Sequence, residues 1–284
     1  MRVVLIYDKL IRPDTTGTHC EAALRTLGVD VVHHAPLVIN DGKPALRGWE
    51  ELPAGDLYVQ IDDDIAYPTP AFNAPSAYWC IDVHRMDQMY GGPLTRWQKM
   101  QPFGRVFSAQ KDMAVKLRIP WLPLAYDPGV MFPIDGCAKV FDWCFIGNFV
   151  GPERMAVIER LRAAVPNAFV GQAYGPDMNR IYNQSRVAVN YSVGNDVNMR
   201  FFEVQATGTP LLSNRPNNGE DELFDQVLYY ESPEELPRQL MKLLESPEEL
   251  AGAGRRQLEQ VSGSHTYVAR MKQLLEMCGM PWKG

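Results

Sequence analysis

The chain has 284 residues, of which 46% are hydrophobic and 22% are charged, and its formal net charge at pH 7 is −6. This composition excludes a disordered chain and disfavours a general polyanion-binding protein, although a local basic groove is compatible with it. The five cysteines form no CxxC or Cys/His pattern, which argues against a disulfide framework or a structural zinc site. We expect a cytoplasmic protein, because the N-terminus lacks the apolar core of a signal peptide and no apolar run is long enough to span a membrane.

Short apolar segments alternate with helix-like patterns along the chain, which is typical of βαβ units around a mostly parallel sheet. In the first half, a helix over Cys20–Leu27 follows the first strand and ends at Gly28, since glycine is common just after a helix. The strands predicted in this half are Arg2–Tyr7, Val29–His33, Leu57–Ile61, Ala77–Ile81, Arg105–Ser108 and Pro120–Pro123.

The second half has the same alternation. Its predicted strands are Phe141–Ile146, Ala168–Gly171, Arg186–Tyr191, Pro210–Ser213 and Val227–Tyr230, and its predicted helices are Glu153–Ala164, Pro176–Gln184 and Val197–Thr207, followed by a helical tail. Prolines and glycines interrupt residues 125–136, between the halves. We therefore predict an α/β protein with two Rossmann-like lobes, residues 1–130 and 131–284, joined by a hinge with an interdomain cleft. One continuous sheet with a long loop is the alternative.

The segment from Arg186 to Asn214 contains the most informative pattern, a buried strand followed by a polar loop, a helix and a second buried strand. Asp196 or Asn198 could cap this helix, which puts Arg200 in its first turn. A cation at the positive end of a helix dipole is unfavourable unless an anion such as a phosphate binds there. Glu203 lies three residues further on, on the same face, where a carboxylate could accept ribose hydroxyls. The alternative is a surface ion pair between Arg200 and Glu203.

A longer pattern gives a family resemblance. The residues Arg200, Phe202–Glu203, Ala206, Gly208 and Pro210–Leu212 resemble the C-terminal motif of family-four-type glycosyltransferases with the GT-B fold, and are most similar to the CgeB-like, or spore-maturation, branch. Four further segments resemble that branch in the same order, and these are 121–128, 142–149, 181–190 and 265–275. The resemblance extends over about residues 120–280 and is weak before them.

The resemblance implies roles for individual residues. The family glutamate that matches Glu203 binds the donor ribose, the loop and arginine that match Val197–Arg200 hold the diphosphate, and the turn that matches Gly147–Asn148 lets the backbone approach it. Where the family commonly has a glutamate that contacts the donor sugar, this chain has Asn195. The donor-binding residues predicted in this way are Gly147, Asn148, Asn195, Asp196, Asn198, Met199, Arg200 and Glu203.

Two further groups of candidate residues lie in the first half. Asp82 and His84 follow a predicted strand, at the end where open α/β sheets bind ligands, and we assign them to positioning the sugar or accepting the acceptor's proton. A helix-capping aspartate and a structural histidine are the alternative. Thr16 and Gly17, in the loop before the first helix, could contact the diphosphate or the acceptor, with an ordinary loop as the alternative.

Asp62 and Asp64 need separate consideration, because they follow a strand in the D-x-D spacing of metal-dependent GT-A glycosyltransferases. Such acids are also common at a solvated strand end. The C-terminal motif is longer and more specific, so we predict no metal site.

These observations predict a hexosyltransferase of class EC 2.4 that is metal-independent and has no required cofactor, and the family resemblance implies that it is retaining. Its donor would be a nucleoside diphosphate sugar, with a UDP-sugar as the first candidate, and its acceptor a glycan, a small molecule, a protein or a modified nucleobase. Helix amides and Arg200 would stabilise the leaving diphosphate. Two alternatives are a non-catalytic nucleotide-sugar-binding protein, which Asn195 favours, and a nucleotide-sugar hydrolase or epimerase on the same fold.

Overall fold

Two α/β units make up the chain in a computed structural model that describes residues 1–10, 14–62, 72–82, 95–149 and 151–280, with Trp49 described by its backbone alone. The first unit comprises Met1–Leu124 and Tyr267–Gly284, and the second comprises Ala125–Thr266. Among the described residues, no helix combines the length and the apolar character that crossing a membrane requires.

The first unit contains a five-stranded parallel sheet in the order β2-β1-β5-β6-β7. Its strands are β1 (Arg2–Ile6), β2 (Asp30–His34), β5 (Leu57–Ile61), β6 (Ser76–Cys80) and β7 (Arg105–Ser108). Its helices are α1 (Thr16–Thr26), α2 (Arg96–Met100), α3 (Lys111–Leu117) and α10 (Tyr267–Met277). The strands β5 and β6 are buried along their whole length, as expected for a parallel sheet that is covered on both faces.

The second unit contains another five-stranded parallel sheet, in the order β12-β11-β10-β8-β9. Its strands are β8 (Phe141–Ile146), β9 (Ala168–Gly171), β10 (Ser185–Asn190), β11 (Leu211–Ser213) and β12 (Leu228–Tyr229). Its helices are α4 (Pro152–Ala164), α5 (Gly175–Gln184), α6 (Arg200–Ala206), α7 (Glu220–Leu223), α8 (Leu236–Leu244) and α9 (Pro247–Val261). The chain passes from β8 to β9 on one side and then to β10 on the other, so the strand order reverses between β8 and β10. Ligands of open α/β sheets bind at the carboxyl ends of the strands at such a reversal.

Most predicted strands are confirmed, and four of them, β5, β7, β8 and β9, have the predicted bounds. Pro120–Pro123 is not a strand, because only Trp121 forms an isolated bridge, to Ser108. Helix α1 begins four residues before the predicted start, since the Thr15 side chain accepts a hydrogen bond from the Thr18 N–H and caps it there.

A small antiparallel hairpin was not predicted. It consists of β3 (Leu37–Asn40) and β4 (Lys43–Leu46). Its turn residues Asp41 and Gly42 have φ values of 48° and 74°, the left-handed conformation of a type I′ turn. The Asp-Gly pair in the sequence is a standard indication of such a turn.

The division into units differs from the predicted boundary at residue 130. The last helix, α10, packs with the first unit, where the Arg270 Nε donates to the carbonyl oxygens of Pro123 and Leu124 at 2.8 and 3.3 Å. The first and the last residues of the second unit lie side by side, since the Tyr126 N–H donates to the His265 carbonyl oxygen at 3.0 Å.

Candidate functional site

Arg200 begins helix α6 and lies against the turn that follows β8. A Cβ atom added to Gly147 would lie 2.8 Å from the Arg200 Nη2 atom and 3.3 Å from its Cζ atom, so the guanidinium packs directly on the glycine backbone. The guanidinium also lies over the Phe145 ring, with 5.3 Å between Cζ and the ring centroid. The predicted pair Gly147 and Arg200 is thus brought together at the sheet's reversal point.

Arg200 has no neutralising partner among the described residues. It forms no ion pair with a carboxylate there, and its buried Nε atom has no hydrogen-bond partner. Glu203 is buried, with 5% of its surface exposed. The alternative of an exposed Arg200–Glu203 ion pair is therefore wrong.

A second arginine, which sequence reasoning missed, lies beside the first. Arg154 on α4 donates from Nη1 to the Asn148 carbonyl oxygen at 2.9 Å and from Nη2 to the Tyr191 carbonyl oxygen at 3.1 Å. Its Cζ atom lies 5.9 Å from the Phe145 ring centroid, and its buried Nε atom has no partner. Two guanidinium groups therefore share one aromatic ring.

The electrostatics of this arginine pair favour an anion. Burial lowers the pKa of Arg154, and the neighbouring charge of Arg200 lowers it further, while Asp196 acts in the opposite direction. The two cations therefore repel each other in the absence of a ligand. An anion that contacts both would relieve this repulsion and occupy the unpaired donors. Helix α6 has only seven residues, so its dipole adds little to the field of the side chains.

The loop between β10 and α6 is held by its own polar groups. Asn195 and the preceding Gly194 both have positive φ values, of 60° and 64°. The Asn195 carbonyl oxygen accepts from the Asn218 side-chain amide at 2.8 Å, and the Asp196 carbonyl oxygen accepts from the Ser192 hydroxyl. These contacts fix the loop at the carboxyl end of β10.

Asn198 and Met199 complete the approach to helix α6. The Asn198 Oδ1 atom accepts from the Arg200 N–H at 3.2 Å, and its Nδ2 atom donates to the Asn190 Oδ1 atom at 3.4 Å. Met199 precedes the first helical residue in a helical backbone conformation. The helix begins three residues after the predicted start at Val197, and its N-cap residue, Met199, makes no side-chain capping hydrogen bond.

Glu203 lies in a buried environment with a second polar side chain nearby. Burial raises the pKa of Tyr182, and the negative charge of Glu203 raises it further, while Arg200 lowers it. The Tyr182 hydroxyl is buried without a hydrogen-bond partner. A carboxylate, a phenol and a guanidinium thus lie near one another on α5 and α6.

Asn148 belongs to a polar group at the end of β8 and β9. Its Oδ1 atom accepts from the Gln172 Nε2 atom at 2.8 Å, and the Tyr174 hydroxyl lies 3.4 Å from the Gln172 Oε1 atom. Tyr174 is 38% exposed. Sequence reasoning missed Gln172 and Tyr174, although Gln172 directly follows a predicted strand and Tyr174 lies two residues further on.

Among the candidates of the first half, Asp82 follows a strand, as predicted. His84 lies outside the described residues. Asp82 follows β6, its N–H donates to Asp62 Oδ2 at 3.3 Å, and the Arg96 Nη2 atom lies 3.7 Å from its carboxylate. Its side chain is 35% exposed. The Asp82 carboxylate is thus partly exposed and is held in place by the buried Arg96 guanidinium.

Thr16 and Gly17 do not lie in a loop. Because Thr15 caps α1 early, both residues are buried in its first turn. A Cβ atom at Gly17 would lie 2.2 Å from the Tyr7 Cδ2 atom, so this glycine is required for packing. The prediction that these two residues lie in a loop is therefore wrong, because both belong to a helix.

Asp62 is fully buried and its carboxylate is already occupied. It accepts from the Arg96 Nε atom at 2.7 Å, from the Tyr78 hydroxyl at 2.9 Å and from two further donors. Burial raises the pKa of Asp62, but the charges of Arg96 and Lys99 and the hydrogen bonds from Arg96 and Tyr78 together lower it by more, so the pKa lies below its usual range. The D-x-D interpretation therefore fails at Asp62, and Asp64 lies outside the described residues. Elsewhere in the described part of the chain, no cluster of three His, Cys, Asp or Glu side chains forms a candidate metal site.

Comparison with known proteins adds a family and a fold to this geometry. Residues 147–276, slightly less than half of the chain, match the model of the family described as glycosyl transferase-like. This segment contains both arginines, Gly147 and Glu203. No curated protein sequence matches the chain.

Solved structures cover the chain almost completely. Sucrose-phosphate synthase from Thermosynechococcus elongatus has a TM-score of 0.65 and 11% identity, with 98% of each chain covered. The chain has the GT-B fold. Two other GT-B structures are a T4 phage β-glucosyltransferase in complex with UDP-glucose (TM-score 0.61, 12% identity, 98% of this chain and 99% of that chain covered) and an α-glucosyltransferase in complex with UDP and a 13-mer DNA (TM-score 0.64, 10% identity, 98% and 99% covered).

Proposed function

We propose that this GT-B protein transfers a hexosyl group from a nucleoside diphosphate sugar to an acceptor. The main support is the arginine pair, Arg154 and Arg200, at the reversal point of the second sheet. Both guanidinium groups retain a buried Nε donor without a partner. A diphosphate would supply the missing negative charge and the acceptor oxygens together, which is the ligand chemistry that planar guanidinium groups bind most strongly.

The same residues would promote the transfer. When the bond between the anomeric carbon and the diphosphate oxygen breaks, negative charge grows on the leaving diphosphate. Cationic donors that are already positioned stabilise this charge without reorganising. Arg154 is oriented by two backbone carbonyl oxygens and Arg200 by the Gly147 turn, so both would be positioned in advance. The proposed reaction therefore requires no divalent metal.

Glu203 would bind the ribose. Its buried carboxylate lies one helical turn after Arg200, and a carboxylate can accept hydrogen bonds from two adjacent hydroxyl groups. Asn148, Asn195, Asp196, Asn198 and Met199 would form the surrounding donor site. We propose a UDP-hexose as the donor, because two structural neighbours were determined with UDP-glucose or UDP.

The finer assignments rest on the sequence resemblance. These are the CgeB-like branch of family four, retention of anomeric configuration and a role for Asp82 and His84 in positioning the sugar or accepting a proton. The cytoplasmic location that we also propose rests on the scattered cysteines, which form no disulfide pattern. Asn195 replaces the glutamate common in that branch, so we propose that its amide contacts the donor sugar as a neutral group. The acceptor would be a glycan, a small molecule, a protein or a modified nucleobase.

The proposal is tested by thermal unfolding with UDP, GDP, ADP, dTDP and CDP, each with and without EDTA. A ligand at 100 times its dissociation constant adds about 2.7 kcal/mol to the free energy of unfolding. We expect UDP to give the largest stabilisation and EDTA to leave it unchanged. Absence of stabilisation by every diphosphate would contradict the donor site, and loss of stabilisation in EDTA would contradict metal independence.

A second measurement separates transfer from the alternative functions. Incubation of the protein with UDP-glucose and a panel of acceptors should release UDP only when an acceptor is present. Release of free glucose or formation of an epimer without acceptor would indicate a hydrolase or an epimerase. Tight binding of UDP-glucose without turnover across the panel would indicate a binding protein.

A further inference from the structure

The second unit contains a cavity of about 360 Å³ that the proposed donor site does not use. It lies at the carboxyl ends of β10, β11 and β12, beside the arginine pair, since the Tyr191 carbonyl oxygen accepts from Arg154. Its lining residues are Tyr191, Asn214, Arg215, Asn217, Tyr229, Tyr230, Glu231 and Pro233. The volume is at the lower end of the range of about 300–1,000 Å³ that is typical of small-molecule sites.

One wall of the cavity is rigid. The Asn214 side chain accepts from the Ser192 N–H at 2.6 Å and donates to the Ser192 carbonyl oxygen at 3.0 Å, which joins the ends of β10 and β11. The Tyr230 hydroxyl donates to the Asn190 carbonyl oxygen at 3.1 Å. The Gln239 Nε2 atom donates to the Tyr229 carbonyl oxygen at 2.8 Å and fixes the end of β12. These bonds hold the aromatic rings without occupying the cavity.

Other polar groups on the lining are unused. The Tyr229 hydroxyl is buried and has no hydrogen-bond partner. The Arg215 guanidinium stacks on the Tyr229 ring, with 3.9 Å between Cζ and the ring centroid, and forms no ion pair among the described residues. Glu231 likewise contributes a carboxylate that pairs with no described cation.

This set of groups selects a neutral ligand with both hydrogen-bond donors and acceptors. The Arg215 guanidinium only donates and the Glu231 carboxylate only accepts, so an anion would be repelled by the carboxylate and a cation by the guanidinium. The tyrosine rings and Pro233 add apolar surface for the ligand's carbon skeleton. A sugar ring combines hydroxyl groups, each a donor and an acceptor, with an apolar C–H face. We propose that this cavity is a saccharide-binding site that adjoins the donor site at Tyr191 but does not include the arginine pair.

The proposal does not depend on the protein being a transferase, because it concerns binding of a free saccharide. The test is a titration of the full chain with glucose, galactose, N-acetylglucosamine, maltose and cellobiose, followed by saturation-transfer NMR and calorimetry. We expect at least one of these saccharides to bind, with the same affinity in the presence of saturating UDP. Absence of binding by all five would overturn the proposal.

Two variants locate the binding. Arg215→Gln removes the unpaired charge, and Tyr229→Phe removes only the unpaired hydroxyl, so neither creates a cavity in the core. Each should weaken saccharide binding by about tenfold, the effect of one hydrogen bond with a charged or buried partner. Arg162→Gln, on an exposed part of α4, is the matched control and should leave the affinity unchanged. Circular dichroism and the unfolding midpoint verify that each variant is folded.

Three outcomes would reject the assignment. Saccharide binding that persists in both variants would place the ligand elsewhere. Binding that is lost in Arg200→Gln but unchanged in Arg215→Gln and Tyr229→Phe would show that the sugar occupies the donor site. Uridine or adenosine binding in place of the saccharides, and lost in the two variants, would show that the cavity binds a nucleobase.

Discussion

Each unit of the molecule has a cluster of charged side chains that includes arginine at the carboxyl end of its sheet, but the positive charge is balanced differently in the two clusters. In the first unit, Arg96 and Asp62 form a fully buried ion pair, with 2.7 Å between Nε and Oδ2. In the second unit, Arg154 and Arg200 share the Phe145 ring and have no carboxylate partner among the described residues. The charge of Arg96 is thus neutralised within the protein, whereas the charges of Arg154 and Arg200 would be neutralised by an added anion.

The difference shows how a structural charge can be distinguished from a ligand-binding charge. A buried ion pair offsets part of its own desolvation cost through the attraction of its two charges, whereas removing one partner is expensive because it leaves the other charge buried alone. Two unpaired cations at a sheet reversal are unfavourable for folding and are consistent with selection for binding. We therefore expect substitutions in the first cluster to change stability and substitutions in the second to change affinity.

The largest expected effect is on the first cluster. Asp62→Asn leaves the buried Arg96 charge without its partner, so we expect the free energy of unfolding to fall by about 3–5 kcal/mol in urea denaturation. The affinity for UDP of the folded protein should not change. The control is Asp30→Asn, which breaks the exposed Arg2–Asp30 pair and should cost under about 1 kcal/mol. Equal costs for the two substitutions would contradict a structural role for Asp62.

The pH dependence of that cluster tests the same point. The pKa of Asp62 in the folded protein is lower than in the unfolded chain, where it is about 3.9. Its contribution to stability is therefore present above about pH 4 and is lost as the pH falls through the folded-state pKa. We expect the stability difference between wild type and Asp62→Asn to be constant from pH 7 to 5 and to shrink below pH 4. A difference that stays constant down to pH 3 would show that Asp62 is not the titrating group.

The next effect concerns the second cluster. Arg200→Gln removes one guanidinium from the proposed diphosphate site, so we expect the dissociation constant for UDP to rise by about tenfold to a hundredfold, measured by calorimetry. Stability without ligand should be unchanged or slightly higher, because the repulsion from Arg154 is removed. Arg180→Gln, which breaks an exposed pair with Asp177, is the matched control. An unchanged UDP affinity in Arg200→Gln would contradict the expectation that the second cluster binds the ligand.

The smallest effect is a geometric one. In Gly147→Ala, the new Cβ atom would displace the Arg200 guanidinium, which lies 2.8 Å from the Cβ position. We expect UDP affinity to fall by about threefold to tenfold, under 1.4 kcal/mol, with little change in the unfolding midpoint. Gly104→Ala has only ordinary contacts, the nearest at 3.6 Å, and serves as the control. Equal UDP affinities in the two variants would show that the close packing of Arg200 on Gly147 is not needed for binding.

The strands were predictable because a buried parallel strand is a short, continuous apolar run that depends on nothing distant in the chain. Helix starts were less predictable: the hydrogen bond that the Thr15 side chain accepts from the Thr18 N–H moved the start of α1 by four residues, and α6 begins three residues later than predicted. The meeting of Gly147 and Arg200 was indicated by the family motif. The participation of Arg154 was not, because only the packing of α4 against the end of β10 brings its guanidinium to Tyr191.

At Asp62, by contrast, the sequence suggested a ligand-binding role that the structure does not support. Its D-x-D spacing suggested a metal ligand, but spacing along the chain says nothing about a cation 34 positions away, and Arg96 occupies the carboxylate. The cavity beside Tyr229 was equally invisible in the sequence. Its lining residues come from three strand ends that are separated along the chain and join only in the folded sheet.

By itself, the amino-acid sequence determined the alternation of strands and helices in two α/β halves and the motif from Arg200 to Leu212, because these depend on neighbouring residues and their periodicity. Only the tertiary structure decided which charges are neutralised and which remain open to a ligand. The reason is physical: the energy of a charged side chain depends on its burial and on the partners within a few ångströms, and both are set by residues far away in the chain.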